Sequence, residues 1–222
     1  LDIWHKDILP FLDLKLNNGD ERQRAHDIFT GVCLPDIFME KVDAREDWVL
    51  FDPHEIRSIK GYSLEDYFDE SKGAGTFRKK YEECVNDTRL SREIVPAIDL
   101  MKRIMRSQLE TGVPFMFYRD EVNRSNSNKH QGMIYSSNLC TEIMQNMSAT
   151  VFESIAIEDD VFITRKKPGD FVVCNLSSIN LGKAVPANVL ERLIDVQVRM
   201  LDNVIDLNMI PVPQAERTNA RY

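Results

Sequence analysis

Residues 98–118, IDLMKRIMRSQLETGVPFMFY, decide the fold class of this chain. Apolar residues recur every three or four positions in the first part, with Lys and Arg between them, as in an amphipathic helix with one buried face. Gly112 predicts the end of this helix, and the apolar run after Pro114 predicts a buried strand. A helix followed closely by a buried strand is typical of α/β proteins. The expected core stripe is Ile98, Met101, Ile104, Met105 and Leu109.

The same alternation continues in both directions. Short apolar runs at residues 28–34 and 48–51 predict strands, and Pro35 begins a helix-like segment at residues 36–42. A second amphipathic helix is predicted at about residues 188–206. We therefore predict an α/β chain in which helices cover a sheet or barrel. The second helix also carries an apolar stripe that we expect in the core, namely Leu190, Leu193, Ile194, Leu201, Val204 and Ile205.

Composition excludes several classes of function. The 222 residues suffice for one large domain or two small ones, and a hydrophobic fraction of 43% supports a substantial core. A formal net charge of -8 without a strong basic patch argues against nucleic-acid binding. No apolar run approaches the roughly 18 residues of a membrane span, and no signal-like segment opens the chain. We therefore expect no membrane association and a cytoplasmic location.

The four cysteines are too sparse for a secreted disulfide scaffold. They form no Cys-x-x-Cys pair, and the four histidines show no zinc-site spacing, so no metal site is expected. A disulfide in this chain would be catalytic rather than structural.

The densest group of reactive side chains lies in residues 136–143, SSNLCTEI. In an extended chain, side chains alternate between two faces, so Asn138, Cys140 and Glu142 would share one face. That face would present an amide, a thiol and a carboxylate above a mainly apolar back. Such a row is what a buried active-site strand or loop requires.

A second strand-like stretch, residues 170–181 (DFVVCNLSSINL), has Cys174 in its middle. A thiol in a strand is most often a small buried hydrophobe, and this alternative applies to Cys140 as well. The acidic residues 153–169 between the two cysteines are interpreted as turn-like. The spacing leaves open whether the two thiols meet across one site.

A weaker motif is the Gly-x-Gly of residues 71–75, SKGAG, which lies close to Lys72, Arg78, Lys79 and Lys80. Backbone amides of such a loop can cradle a phosphate, but a solvated loop is the commoner outcome for this composition.

Two of these stretches resemble the large (alpha) subunit of class I ribonucleotide reductases, namely residues 137–143 (SNLCTEI) and 173–181 (VCNLSSINL). Residues 2–7 (DIWHKD), 120–124 (DEVNR) and 217–222 (RTNARY) resemble further segments of that family in the same order. The resemblance covers essentially the whole chain and implies an internal fragment from the middle of a longer protein.

The fold that this resemblance implies is a ten-stranded α/β barrel of two half-barrels around a central finger loop. Residues 1–135 would end the first half-barrel, residues 136–143 would be the finger-loop motif, and residues 144–222 would start the second half-barrel. The barrel would be incomplete in this chain. The start at Leu1 without Met and the end at Tyr222 without a helix stop also favour an internal fragment.

The resemblance also implies roles for individual side chains. Cys140 would carry the thiyl radical that removes the substrate's 3′-hydrogen, and Glu142 would be the general base at the 3′-hydroxyl. Asn138 would bind the substrate and this carboxylate, and Ser137 is a further substrate-binding candidate. Cys174 would be one of two thiols that reduce the 2′-position and end as a disulfide.

Other parts of such a reductase would lie outside this chain, which should be inactive alone. The second redox cysteine is expected upstream, so Cys33 and Cys84 are interpreted as structural or incidental. No cofactor is expected here, because a dinuclear-metal small (beta) subunit would supply the radical. ATP and dNTP effectors would bind the full-length, homodimeric large subunit, and a thioredoxin- or glutaredoxin-type protein would supply electrons. Asn123 and Asn126 would either brace the finger loop or cap a turn.

The implied reaction is reduction of ribonucleoside diphosphates to 2′-deoxyribonucleoside diphosphates for DNA precursor synthesis. One alternative is a reductase with the same barrel and thiyl chemistry but a cobalamin or glycyl-radical source. Another is a non-catalytic remnant or split-enzyme segment that acts only by association.

Overall fold

The computed structural model describes residues 1–222, apart from the side chain of Ser154. The chain divides into two compact units, Leu1–Asn146 and Met147–Tyr222. The helices of the first unit are α1 (Ile8–Asp13), α2 (Asp36–Ala44), α3 (Pro53–Lys60), α4 (Thr76–Val85), α5 (Ala97–Thr111) and α6 (Arg119–Arg124), and its strands are β1 (Gly31–Leu34), β2 (Asp47–Phe51), β3 (Arg92–Pro96) and β4 (Phe115–Tyr118). The second unit contains β5 (Val151–Glu158), β6 (Val161–Lys167), α7 (Leu181–Ala184), α8 (Leu190–Leu207) and α9 (Pro213–Arg221).

The strands form three two-stranded sheets. β1 and β4 pair in parallel, with Gly31 opposite Phe115, whereas β2 and β3 pair antiparallel, with Trp48 opposite Val95. β5 and β6 form an antiparallel hairpin. The predicted α/β class is confirmed, and the barrel is not closed within the residues described.

The helix and strand predicted from residues 98–118 are present as α5 and β4. The helix ends at Gly112, whose positive φ of 78° suits glycine, and this confirms the predicted boundary. The predicted core stripe is only partly right. Met105 and Leu109 are 55% and 88% exposed, because they lie on a neighbouring flank of the helix. The buried positions of α5 are Ala97, Leu100, Met101, Ile104 and Ser107.

An aromatic stack forms the centre of the first unit. The Trp48 ring on β2 stacks on Tyr81 of α4 at 4.3 Å between centroids, and Phe38 of α2 meets it edge-on at 5.1 Å. All three side chains are almost completely buried. The Tyr81 hydroxyl accepts a hydrogen bond from the Val49 N–H at 2.8 Å and donates to Val49 O at 3.0 Å. The Tyr81 hydroxyl therefore satisfies both the N–H and the C=O of Val49, which point away from β3.

The buried carboxylate of Asp120 joins the starts of several elements. It accepts hydrogen bonds from the Asp36 N–H at the first residue of α2 and from the Asp69 N–H, each at 2.6 Å. Asp69 in turn accepts the Arg78 N–H of α4 at 2.8 Å. Burial raises the pKa of Asp120 to about 6. These hydrogen bonds tie the start of α6 to α2 and α4. The α6 helix and the turn after it precede the loop of residues 134–146.

The first turn of α4, directly after the Gly-x-Gly loop of residues 71–75, is bonded to acidic side chains of the same chain. Glu70 accepts the Thr76 N–H at the start of α4 at 2.9 Å, and Asp69 accepts a second amide of the same helix. The chain's own carboxylates therefore occupy these amides. At Gly75 a Cβ atom would lie 2.3 Å from the Cα atom of Asp69, so close packing explains this glycine.

The second unit departs from the sequence expectations in two places. Residues 153–169 are not one turn-like segment, because most of them belong to the β5–β6 hairpin. Its tight turn is built on Asp159 and Asp160, which both have positive φ. The α8 helix is present as predicted, but none of its residues is buried, and Leu193 and Ile194 are 40% and 45% exposed. The expectation that this stripe lies in the core is wrong for the residues described.

Candidate active site

Residues 134–146 form a loop without regular secondary structure after α6 and its following turn. At its tip the Thr141 N–H donates to Asn138 O at 3.2 Å, which closes a turn around Leu139 and Cys140. Cys140 and Glu142 are exposed, and Leu139 is 59% exposed. Thr141 has a φ of 65°, an uncommon left-handed conformation for a β-branched residue. Strain of this kind clusters at functional sites.

Two polar side chains close the neck of this loop. The Ser137 hydroxyl donates to Ile143 O at 2.7 Å, and the Ile143 N–H donates to Asn138 Oδ1 at 3.1 Å. Both backbone groups of Ile143 are thereby bonded to the opposite side of the neck. The Asn138 amide nitrogen has no hydrogen-bond acceptor among the described residues, so it is available to a ligand.

The extended arrangement predicted for residues 136–143 is wrong, because these bonds fold the chain back on itself. Alternation between two faces requires an extended backbone, and a hydrogen-bonded turn with one left-handed residue interrupts it. Asn138, Cys140 and Glu142 nevertheless lie on one short loop. These residues therefore belong to a turn rather than to one face of a strand.

A cleft of about 480 Å³ lies beside this loop within the first unit. Its walls include Cys33 of β1, Phe117 of β4 and Tyr135. Leu139 and Thr141, on either side of Cys140 in the sequence, also line it. The volume lies within the range of about 300–1,000 Å³ that is usual for small-molecule sites. The loop therefore forms one wall of a cavity with room for a small molecule.

Cys33 and Cys84 differ from the cysteines of the two motifs. Both are buried, and burial raises the pKa of each thiol, which keeps it neutral. These features agree with the structural interpretation of both residues. Cys140 and Cys174 are exposed.

Cys174 lies in the second unit, in a segment that is not the predicted strand. Residues 168–180 have no regular secondary structure, and several of their polar groups bond to helices or to side chains rather than to a neighbouring strand. The Phe171 N–H donates to Thr218 Oγ1 of α9 at 2.8 Å, and Asn175 Nδ2 donates to Leu201 O of α8 at 2.9 Å. The structure thus holds the residues around Cys174 against two helices of its own unit.

The two asparagines singled out from the sequence are both placed at the base of the loop. Asn123 bonds to the backbone of Ile134. Asn126 accepts the Asn128 N–H at 2.9 Å and so caps a turn, and it also donates to Asn146. Bracing and turn capping therefore occur together. Asn146 was not predicted, because its role depends on contacts with residues far away in the sequence.

In the part of the chain that the structure describes, no group of three or more His, Cys, Asp or Glu side chains is arranged to hold a metal ion. None of the described helices combines the length and apolar character that crossing a lipid bilayer requires.

Comparison with known proteins identifies the family. The sequence model described as "Ribonucleotide reductase, barrel domain" matches residues 1–222. The chain is 48% identical to the ribonucleoside-diphosphate reductase subunit alpha of Treponema pallidum, over 100% of this chain and 27% of that protein. The corresponding subunit of Helicobacter pylori strain J99 is 36% identical, over 99% of this chain and 31% of its own length. The large subunit of Danio rerio is 37% identical, over 100% of this chain and 25% of its own length.

The chain therefore belongs to the ribonucleotide reductase barrel-domain family. It spans between a quarter and a third of the length of these three relatives.

Proposed function

We propose that this chain is part of the catalytic barrel of a ribonucleoside-diphosphate reductase large subunit. One observation carries the proposal: the family match extends over all 222 residues and includes a loop with an exposed thiol, Cys140, above a closed neck. The relatives are named as ribonucleoside-diphosphate reductase subunits. The reaction proposed for the complete protein is reduction of ribonucleoside diphosphates to 2′-deoxyribonucleoside diphosphates.

In this proposal Cys140 carries the reacting sulfur as a thiyl radical. The radical takes the 3′-hydrogen atom of the substrate, so the S–H bond forms while the C–H bond breaks. Later the same hydrogen atom returns to the sugar. The turn between Asn138 and Thr141 supports this role, because it fixes the backbone on both sides of an exposed thiol. Exclusion of water by the rest of the barrel would protect the radical from side reactions.

Glu142 is proposed as the general base that takes the proton of the 3′-hydroxyl. Asn138 would bind substrate through its amide nitrogen, because its Oδ1 already accepts the Ile143 N–H. The Ser137 hydroxyl donates its proton to Ile143 O, so it would contact substrate as an acceptor. Asn138 thus uses different side-chain atoms for the neck and for substrate, whereas Ser137 uses the donor and the acceptor capacity of its one Oγ.

Cys174 is proposed as one of the two reducing thiols. Loss of the 2′-hydroxyl as water requires two electrons and two protons in total. Two thiols supply both when they close to a disulfide. The second thiol would come from residues outside this chain, and an external thioredoxin- or glutaredoxin-type dithiol would reduce the disulfide after each turnover.

The proposal also includes partners and a location. A small subunit with a dinuclear metal centre would supply the radical, and ATP or dNTP effectors would bind the complete homodimeric large subunit. We place the protein in the cytoplasm, where dithiol reductants keep thiols reduced.

The test is an assay of the complete large subunit that contains these residues, with its small subunit, a dithiol reductant and each ribonucleoside diphosphate. The expected result is deoxyribonucleoside diphosphate formation that requires the small subunit. Formation that requires cobalamin or a glycyl-radical activator instead would overturn the assignment of the radical source. No product under any of these conditions would favour a non-catalytic segment.

A further inference from the structure

Buried asparagine side chains hold both ends of the loop of residues 134–146. At the first end, the Ile134 N–H donates to Asn123 Oδ1 at 2.8 Å, and Asn123 Nδ2 donates to Ile134 O at 2.9 Å. The same Nδ2 donates to Arg119 O within α6 at 2.9 Å. Asn123 and Ile134 are each 1% exposed. Water therefore cannot readily replace these bonds, and the Asn123 side chain ties the first end of the loop to α6.

At the second end, Asn146 is also 1% exposed. Its Oδ1 accepts a hydrogen bond from Asn126 Nδ2 at 2.6 Å, and its Nδ2 donates to Asn128 O at 2.7 Å. Asn126 and Asn128 belong to the turn that follows α6. Both ends of the loop are therefore bonded to α6 or to the residues directly after it.

The element that holds the loop is itself fixed in the core. Arg119, at the start of α6, is 1% exposed and forms an ion pair with Asp2 at 2.5 Å. Its neighbour Asp120 bonds to the backbone starts of α2 and of the segment before α4. Buried and partly buried hydrogen bonds thus link the core of the first unit, α6 and the turn after it to both ends of the loop that carries Cys140.

We propose that Asn123 and Asn146 are positioning residues for the reacting thiol, an inference that rests on the function proposed above. Between its two ends, the loop is mostly exposed; Ser137 and Asn138 close its neck, and the Tyr135 hydroxyl donates to Asp66 Oδ1 at 3.4 Å. Because both ends are fixed, the loop has much less conformational freedom to lose when it is ordered in each turnover. The two asparagines act on Cys140 through the backbone and do not touch substrate. Their loss should therefore lower kcat and leave KM nearly unchanged.

The test uses the complete large subunit with its small subunit and compares Asn123→Ala and Asn146→Ala with wild type. Tyr81→Phe serves as the control for stability, because it removes buried hydrogen bonds of the same unit outside the loop. Asn126→Ala is a milder fourth variant, since Asn126 is only partly buried and its loss removes one of the two bonds to the Asn146 side chain. Far-ultraviolet circular dichroism checks that each variant is folded.

Two quantities are measured: kcat and KM for a ribonucleoside diphosphate, and hydrogen exchange of the peptide that covers residues 134–146. A displacement of about 1 Å at a reacting group can cost about 100-fold in rate. We expect kcat to fall by about 10- to 100-fold in the alanine variants of Asn123 and Asn146, with a smaller fall in Asn126→Ala. We expect KM within about twofold of wild type, faster exchange of the loop peptide, and near-normal kcat in Tyr81→Phe.

Faster loop exchange with an unchanged kcat in Asn123→Ala and Asn146→Ala would overturn the positioning role. A kcat in these two variants equal to that of the Tyr81→Phe control would overturn it as well. If Asn123→Ala and Asn146→Ala do not fold, kcat and loop exchange are measured in Asn126→Ala instead. Faster loop exchange with a lower kcat in that variant would support the positioning role, and faster loop exchange with an unchanged kcat would overturn it. A wild-type enzyme without reductase activity would refute the proposed function, which is a different outcome from an active enzyme that tolerates these substitutions.

Discussion

Tyr81→Phe isolates the energetic value of one hydroxyl in the core. The substitution keeps the ring, so the stack on Trp48 is preserved. It removes the group that accepts from Val49 N–H and donates to Val49 O. Each net hydrogen bond is worth about 1 kcal/mol, and an unsatisfied buried backbone group costs about 1–3 kcal/mol. Because Tyr81 is 1% and Val49 8% exposed, water replaces the hydroxyl poorly. We expect β2 to lose about 2–4 kcal/mol of stability against local opening.

Hydrogen exchange of the peptide that covers β2 measures this loss in the complete protein. Since 1.4 kcal/mol corresponds to a factor of ten, exchange limited by opening should accelerate by about 30- to 1,000-fold. Tyr118→Phe is the matched control, because Tyr118 is 40% exposed and its hydroxyl contacts only Met116 Sδ at 3.8 Å among the described residues. Equal exchange of β2 in the two variants would refute the reasoning that the Tyr81 hydroxyl satisfies this backbone.

Three further predictions concern titration and chemistry. The raised pKa of Asp120 means that its contribution to stability is fully present below about pH 4 and is lost as pH rises through about 6. Asp120→Asn should therefore flatten the decline in unfolding free energy between pH 4 and 7, and an unchanged slope would contradict the assignment. Glu142→Gln should lower turnover by about 10²–10⁴-fold with little change in substrate affinity, because a carboxamide cannot take a proton; normal turnover across neutral pH would leave Glu142 a structural carboxylate. In Cys174→Ser, the small-subunit radical should still be consumed and free base released without deoxynucleotide, because a hydroxyl cannot form the disulfide; sustained deoxynucleotide production with an external reductant would rule out the redox role.

Local sequence patterns were sufficient to predict some elements and their ends. The α5 helix, its end at Gly112 and the following β4 strand were predicted, because periodicity and a glycine cap act over a few residues. The β5–β6 hairpin was missed, because charged residues obscure its alternation and its turn uses two aspartates with positive φ. Burial of α8 could not be predicted, because periodicity identifies an apolar face without showing what covers it.

The residues of the candidate site were proposed from the sequence, but the geometry of their loop was not predicted. The motif around Cys140 was recognised from the sequence, whereas the turn depends on side-chain bonds from Ser137 and Asn138 to Ile143. Such local bonds to the backbone compete with an extended strand. The role of Asn146 depends on contacts with residues about twenty positions earlier, which no local pattern reveals.

A comparison of Cys140→Ser with Cys33→Ser in the complete reductase tests whether Cys140 carries the reacting sulfur. Cys140 is exposed at the tip of the loop of residues 134–146. Cys33 is buried in the wall of the cleft beside that loop and is assigned no chemical role. Deoxynucleotide formation and ribonucleotide affinity are measured separately in both variants. We expect Cys140→Ser to abolish deoxynucleotide formation while ribonucleotide affinity stays near wild type, and Cys33→Ser to retain both. Turnover near wild type in Cys140→Ser would refute the radical role of Cys140.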